Sequence, residues 1–211
     1  DNTATGSVAL YENTTGYGNA ATGAGALYYN NTGIYNTASG VNALLSNTTG
    51  TYNTAIGYAA DVASEDLTNA TAIGNGASVS ESNKIRLGDS NVVVIEGQVA
   101  FSASSDRRLK KDITNTKYGL KTILELVPVD YQLKSNDLFQ VGFIAQDLKP
   151  IVPEAITGIE GDLEKGETLG VTYTTLVPVL TKAIQEQQAL IDAQNKVIQQ
   201  LQKDMLILKQ K

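Results

Sequence analysis

The side chains with chemical reach sit together in Ser102-Ala103-Ser104-Ser105-Asp106-Arg107-Arg108-Leu109-Lys110-Lys111-Asp112-Ile113, where three serines, two aspartates and four cations fall within twelve positions. The chain has no histidine and no cysteine. Imidazole-based triads, thiol nucleophiles, disulfides and Cys/His metal sites are thereby excluded. Whatever chemistry exists must use Ser, Thr, Lys, Tyr or carboxylates. Spacing alone does not choose among them: a Ser followed five positions later by a Lys carries no signal, and four clustered cations are ordinarily a solvated face or a phosphate patch. Neither side of this stretch shows paired carboxylates in a recognisable frame or a metal constellation, so an enzyme acting on an external substrate is the least favoured class, and no cofactor is implied.

The stretch lies on a boundary of composition. Residues 1–104 contain two basic residues, Lys84 and Arg86, and eight acidic ones, a net of −6; residues 105–211 contain fourteen of each. The acidic half lacks the Lys/Arg footprint that nucleic-acid phosphates require. A chain of 211 residues corresponds to one or two domains. No apolar run approaches the roughly 20 residues that span a bilayer, and Asp1-Asn2-Thr3 lacks the charged and apolar regions of a signal peptide. Neither nucleic acid nor membrane is expected as a partner.

Before the boundary the chain is a repeat. In blocks of 17 it reads ATGSVALYENTTGYGNA from Ala4, ATGAGALYYNNTGIYNT from Ala21, ASGVNALLSNTTGTYNT from Ala38, AIGYAADVASEDLTNAT from Ala55 and AIGNGASVSESNKIRLG from Ala72. Glycine recurs at Gly6, Gly23, Gly40, Gly57 and Gly74, and alanine three residues later at Ala9, Ala26, Ala43, Ala60 and Ala77. Short strands and tight turns fit this period, with the Asn and Gly of NTTG and NNTG expected to supply positive φ. A single coil cannot bury its own face, so it must stack on the next or on a neighbouring chain. Asp1-Asn2-Thr3 matches the Tyr-Asn-Thr that ends a row, which suggests the C-terminal part of a longer array.

Other readings of these residues are absorbed by the period. Asn13, Asn30, Asn47 and Asn69 each open a glycosylation acceptor triplet, but three fall at one repeat phase where a turn wants Asn and Thr. Ala21-Thr22-Gly23-Ala24-Gly25 lacks both the Gly-Lys-Ser/Thr end and the helix of a phosphate loop. Tyr11, Tyr28, Tyr35 and Tyr52 are aromatics that could stack on sugars, although half-buried tyrosines on a strand face are the commoner case. The blocks resemble the β-roll head repeats of trimeric autotransporter adhesins and of phage tail-fibre tips. That resemblance implies three chains side by side along one axis.

From Lys84 the period fades. Asn91 to Phe101 holds β-branched runs separated by Gly97 and is read as two strands of a connector. Beyond Asp106 the pattern predicts a helix at Leu120–Leu126, a strand at Val129–Leu133, a buried strand at Gln140–Ala145, a helix at Gln146–Ile151 stopped near Pro153, and a strand at Leu169–Tyr173. The final segment carries Leu180, Ile184, Gln187, Ile191, Gln194, Ile198, Leu201, Met205 and Leu208 at alternating steps of four and three, the seam of a coiled coil entered or kinked at Pro178. Leu190 and Val197 widen the stripe, which favours three strands over two; the alternative is a helix packed on its own domain. Buried Gln187 and Gln194 layers would cost stability while restricting register and strand number.

The second half then becomes recognisable. Ser105 to Ile113, Val129-Asp130-Tyr131, Gln140 to Asp147, Val152-Pro153-Glu154-Ala155, Val171 to Pro178 and Ala183-Ile184-Gln185-Glu186 together resemble the endosialidase-type intramolecular chaperone domain. Members of that family end phage tail spikes and fibres and some bacterial surface proteins, and a related form occurs in membrane-anchored transcription factors. The resemblance implies a domain that brings three chains together and then cuts itself off through a serine–lysine dyad. Carried onto this sequence, it makes Ser105 the nucleophile, Lys110 the base and Ser104–Ser105 the bond cut. A lysine amine serves as base if its pKa falls from about 10.4 towards neutrality, which burial and the neighbouring cations Arg107, Arg108 and Lys111 would promote. Ser104 and Lys111 duplicate each member of the dyad, but Ser105 and Lys110 stand in register with the Asp-Arg-Arg-Leu and Asp-Ile that frame them.

The expected fold class is mixed. An all-β repeat of 17-residue period, β-roll or β-helix-like and trimeric, occupies 1–88, and a β connector 89–104. An α+β chaperone and autopeptidase domain follows at 105–178, and a trimeric coiled-coil helix at 179–211. The expected function is the C-terminal part of a homotrimeric tail fibre, tail spike or surface adhesin, on a virion or a bacterial surface, with a host glycan or receptor as partner of the repeats; the alternative is a non-cleaving structural adhesin or fibre tip whose C-terminal domain is a permanent trimerisation clamp.

Overall fold

The computed structural model describes residues 1–163 and 166–209. The chain divides into two compact units: Asp1–Gln98 with Lys134–Asp137 and Gly158–Thr168, and Val99–Leu133 with Leu138–Thr157 and Leu169–Lys211.

The first unit is a β-solenoid. Strands β1 (Thr3–Thr5), β2 (Ala20–Thr22), β3 (Thr37–Ser39), β4 (Thr54–Ile56), β6 (Thr71–Ile73) and β8 (Ile85–Leu87) stack into one parallel sheet, while β5 (Asp61–Val62) pairs with β7 (Ser78–Val79). Register advances by the repeat: Ala21 sits on Ala38, Ala38 on Ala55 and Ala55 on Ala72. The last coil is shorter, since Thr71 pairs with Ile85. Alanines at two phases form the core, with Ala26, Ala43, Ala60 and Ala77 fully buried beside Leu27, Leu44, Val62 and Val79. Small side chains suit coils whose backbones approach this closely. At Gly23 both demands meet, because φ is +133° and a Cβ would collide with the carbonyl oxygen of Gly40 on the next coil.

The asparagines do something other than the turn role expected of them. Asn2, Asn19, Asn36 and Asn53 form one ladder, in which each Oδ1 accepts from the backbone N–H one coil on: Asn19 at 2.9 Å, Asn36 at 2.9 Å, Asn53 at 2.8 Å and Ala70 at 2.9 Å. Their Nδ2 groups donate to the carbonyls of Gly16, Gly33, Gly50 and Leu67. A second ladder runs through Asn13, Asn30 and Asn47, with Nδ2 to Oδ1 bonds of 2.9 and 2.8 Å. Neither Asn30 nor Asn47 has positive φ; left-handed backbone falls instead on residues such as Leu27, Asn42, Leu44, Tyr35 and Tyr52. Asn30 and Asn47 are wholly buried, which removes them as glycan acceptors. Every buried side-chain N and O among the described residues is hydrogen-bonded.

The tyrosines of the solenoid lie off its strands. Tyr11 stacks on Tyr28 and Tyr35 on Tyr52, each pair with centroids 5.3 Å apart. Tyr11, Tyr35 and Tyr52 are exposed. Residues 92–104 contain no strand, contrary to the connector reading. Val92, Val93, Val94, Ile95, Val99 and Phe101 have the right propensity but stand exposed, and a strand needs a partner edge that the single chain does not supply.

The second unit follows the predicted order with shorter elements. A 3-10 turn at Arg107–Leu109 precedes α1 (Leu120–Glu125), the hairpin β9 (Val129–Gln132) with β10 (Phe139–Gly142), α2 (Ala145–Leu148), and the pair β11 (Ile156–Thr157) with β12 (Gly170–Val171). Leu148, Val152, Ala155 and Leu176 form its small core, flanked by Tyr118, Phe143, Ile151 and Val171. Of the strand expected to be buried at Gln140–Ala145, only Gly142 is buried, and the observed strand starts one residue earlier, at Phe139. Phe139 and Val141 are each 75% exposed because a two-stranded ribbon has no covering layer. The strand expected at Leu169–Tyr173 ends at Val171, and Tyr173–Thr175 forms a 3-10 turn into the long helix.

That helix, α3 (Leu176–Lys209), spans 34 residues. Pro178 lies in its first turn, where the missing N–H would have no partner anyway, in keeping with a helix entered at this point. Only Leu176, Val179 and Ala183 are buried. The alternative of a helix packed along its own domain therefore holds only for about the first three turns, as far as Glu186, which meets α1. From Ile184 onward, Gln187, Ile191, Gln194, Ile198, Leu201, Met205 and Leu208 are all exposed. Among the described residues no helix is long and apolar enough to cross a membrane.

Candidate active site at the junction

The residues singled out at the boundary are brought together by the 3-10 turn. Asp106 is its N-cap, with Leu109 N–H donating to Asp106 O at 3.1 Å and Lys110 N–H to Arg107 O at 3.1 Å. These two bonds reverse the chain within four residues. Lys110 consequently points back, and its Nζ lies 2.7 Å from Ser105 Oγ, within the reach required of a base and its nucleophile. Ser104 and Lys111, the duplicates, are exposed nearby and make no comparable contact with each other that the structure records.

The environment differs from the one expected for a lysine base. Residues 101–117 are all exposed, so the single chain encloses neither Ser105 nor Lys110. Arg108, counted among the cations that would crowd the lysine, is committed elsewhere. Its Nε donates to Asp106 Oδ1 at 3.1 Å and its Nη2 to Oδ2 at 2.7 Å, while its backbone N–H donates to Oδ1 at 2.8 Å. The guanidinium holds the Asp106 carboxyl below its usual range, with the backbone N–H adding to this, and the carboxylate in turn raises Arg108.

Downstream, contacts across long sequence separations hold the fold that follows this turn. The Glu186 carboxylate of α3 accepts from Leu120 N–H at 2.8 Å, fixing the N-terminus of α1 to the long helix. Tyr118 OH donates to Glu154 at 2.6 Å and depresses that carboxyl, with the Lys117 charge assisting at 3.7 Å. Tyr173 OH accepts from Phe143 N–H at 3.1 Å, joining the end of the hairpin to the turn before α3. Reading the sequence alone did not bring out Asp106, Arg108 or Glu186 as contact-makers. The i, i+2 spacing of Asp106 and Arg108 ahead of a short turn was the available signal for the first two.

The family described as chaperone of endosialidase matches residues 105–157, about a quarter of the chain. The match opens on Ser105 and takes in the 3-10 turn, α1, the hairpin, α2 and β11. No curated protein matches the chain.

Proposed function

The C-terminal unit carries an endosialidase-type chaperone domain, and from that premise we propose that it assembles three copies of this chain and then severs itself from the solenoid between Ser104 and Ser105. The observation that carries the reading is the 2.7 Å contact between Lys110 Nζ and Ser105 Oγ at the first position of the family match. The uncharged amine of Lys110 takes the Ser105 hydroxyl proton as Oγ attacks the Ser104 carbonyl carbon. That carbon is bonded to the nitrogen of Ser105 itself, so attack closes a five-membered ring. Collapse of the ring breaks the C–N bond, the Lys110 ammonium returns its proton to the leaving amine, and an ester joins Ser104 to Ser105 Oγ. Water hydrolyses the ester, leaving a carboxylate on Ser104 and a fragment that begins at Ser105.

Exposure of the dyad in one chain fits a cut conditional on assembly. An amine loses its proton more readily once shielded from water, and neighbouring copies would supply that shielding. The seam Ile184, Gln187, Ile191, Gln194, Ile198, Leu201, Met205 and Leu208 supports three-fold assembly, since it is apolar at most layers and uncovered in the single chain. The whole protein is then the tip of a tail fibre, tail spike or surface adhesin, displayed on a virion or a cell. The exposed Tyr11 and Tyr52, which end the two stacked pairs, suit a host-surface glycan.

Mass spectrometry of the purified protein tests the cut. The proposal requires a fragment beginning at Ser105, lost in Ser105→Ala and in Lys110→Ala while oligomeric mass is kept. A second reading, in which the domain is a permanent trimer clamp that never cuts, is favoured by the open setting of Ser105 and Lys110. It predicts an intact chain in every case.

A further inference from the structure

The 2.7 Å contact poses a problem that the dyad does not solve. The turn that creates it is three residues long, buries nothing, and stands in a segment exposed from residue 101 to residue 117. A free chain of this length would sample many arrangements in which Lys110 points to solvent, because fixing each residue's backbone loses conformational entropy. Two backbone bonds of the i to i+3 type are weak restraints by themselves. No packing contributes.

What remains is the Asp106 carboxylate. One oxygen accepts the Arg108 backbone N–H at 2.8 Å, the cap bond of the turn, and the same carboxylate holds the Arg108 guanidinium at both Nε and Nη2. A cap and a two-point clasp made by one group close the ring of residues 106–108 from both backbone and side chain. The clasp also turns the Arg108 charge towards Asp106, so that it is compensated. Lys110 is thereby freed to fold back on Ser105.

We infer that Asp106 and Arg108 are the positioning residues of the Ser105–Lys110 pair, setting the turn that brings the amine to the hydroxyl. The inference rests on the autoproteolytic reading above. Neither residue touches the reacting atoms; each acts by holding the backbone between them.

Cleavage of the full chain, followed as the rate of appearance of the Ser105 fragment across pH with oligomeric mass measured in parallel, tests this. Asp106→Ala is expected to slow cleavage about tenfold, the equivalent of about 1.4 kcal/mol, with oligomeric mass unchanged. Asp106→Asn, which keeps an oxygen for the cap but not the ion pair, falls between. Arg108→Lys recovers part of what Arg108→Ala loses.

The pH profile separates positioning from a general loss of fold. Besides Lys110, the charged groups along this segment are Asp106, Arg107, Arg108, Lys111, Asp112 and Lys117. Removing Asp106 leaves Arg108 uncompensated, which moves the half-maximal pH down; removing Arg108 leaves Asp106 uncompensated, which moves it up. Opposite displacements support the inference. Unchanged rates in Asp106→Ala and Arg108→Ala, with Ser105→Ala and Lys110→Ala still inactive, overturn it and leave autoproteolysis standing. A parent chain that yields no fragment overturns both. Should Asp106→Ala fail to assemble, Asp106→Asn and Arg108→Lys carry the test, and parent-like rates and profiles in both overturn the inference.

Discussion

The two units of this chain solve the problem of buried and unburied groups in opposite ways. In the solenoid, polar groups go inside: Asn30, Asn36, Asn47 and Asn53 are wholly buried and each is bonded to neighbouring coils. In the chaperone unit, apolar groups stay outside: from Ile184 on, every seam residue of α3 is exposed, as are Phe139 and Val141 on the hairpin. A repeat stack makes its own partners along its axis, whereas the apolar stripe of α3 finds none within the single chain. The difference separates a unit whose buried polar groups are satisfied by its own coils from one that leaves an apolar stripe uncovered in the single chain.

The contrast can be broken most severely at the seam. Ile191→Asp places a charge in each copy of one core layer, at a cost of about 3 kcal/mol or more per chain. Analytical ultracentrifugation is expected to show loss of the oligomer, while far-UV dichroism of the solenoid is kept; loss of both would mean that the solenoid too depends on association. Next in size is Asn36→Leu, which leaves Asn53 N–H and Gly50 O without their partner inside the stack. Each orphaned group costs about 1–3 kcal/mol, so the solenoid's melting temperature should fall sharply with oligomeric mass unchanged. A smaller effect of opposite sign is expected from Gln194→Ile, which should raise the seam's melting temperature by a few degrees while broadening the distribution of oligomeric masses.

The smallest effect is a response to acid that differs between the units. Burial raises the Asp61 carboxyl of the solenoid against its bonds from Ser46 and Val62, whereas Tyr118 lowers that of Glu154 in the chaperone unit. A raised carboxyl penalises the charged fold, so Asp61 costs stability as pH rises through about 4. A depressed one stabilises above that range and loses its contribution as pH falls through it. Relative to the parent, Asp61→Asn should therefore gain in melting temperature between pH 4 and 7. Glu154→Gln should lose over the same interval, and parallel curves for the two variants would deny the contrast.

How much of this was written in the residues varies from element to element. The 17-residue period and the Ala26, Ala43, Ala60 and Ala77 column were legible because a stack repeats its steric demands coil by coil. The order of helix, hairpin, helix and long helix in the second unit was legible too. The asparagine ladders were not, since Asn beside Gly carries a strong local turn signal, and the phase shared by Asn2, Asn19, Asn36 and Asn53 points to a long-range role only when read down the columns. The strands expected between Asn91 and Phe101 failed for the converse reason: propensity was present, but pairing depends on a partner edge that the segment itself does not specify. At the junction, residue types alone gave no dyad; the family resemblance pointed to Ser105 and Lys110. The carboxylate that holds their turn became apparent only with the distances.

The ladder also sets a rule for how such a protein can change in length. Each Asn of the first column hands its oxygen to the same position one coil on, so a whole block of 17 can be gained or lost and the remaining bonds close again, changing the shaft by one step of about 4.8 Å. Any other number would break the column. At the C-terminal end the chain does that itself: the receiving position is Ala70, which takes the bond and has no amide to pass on, and the coil after it is the short one. Length in this repeat is quantised, and the asparagine column ends where Ala70 has no amide to pass on.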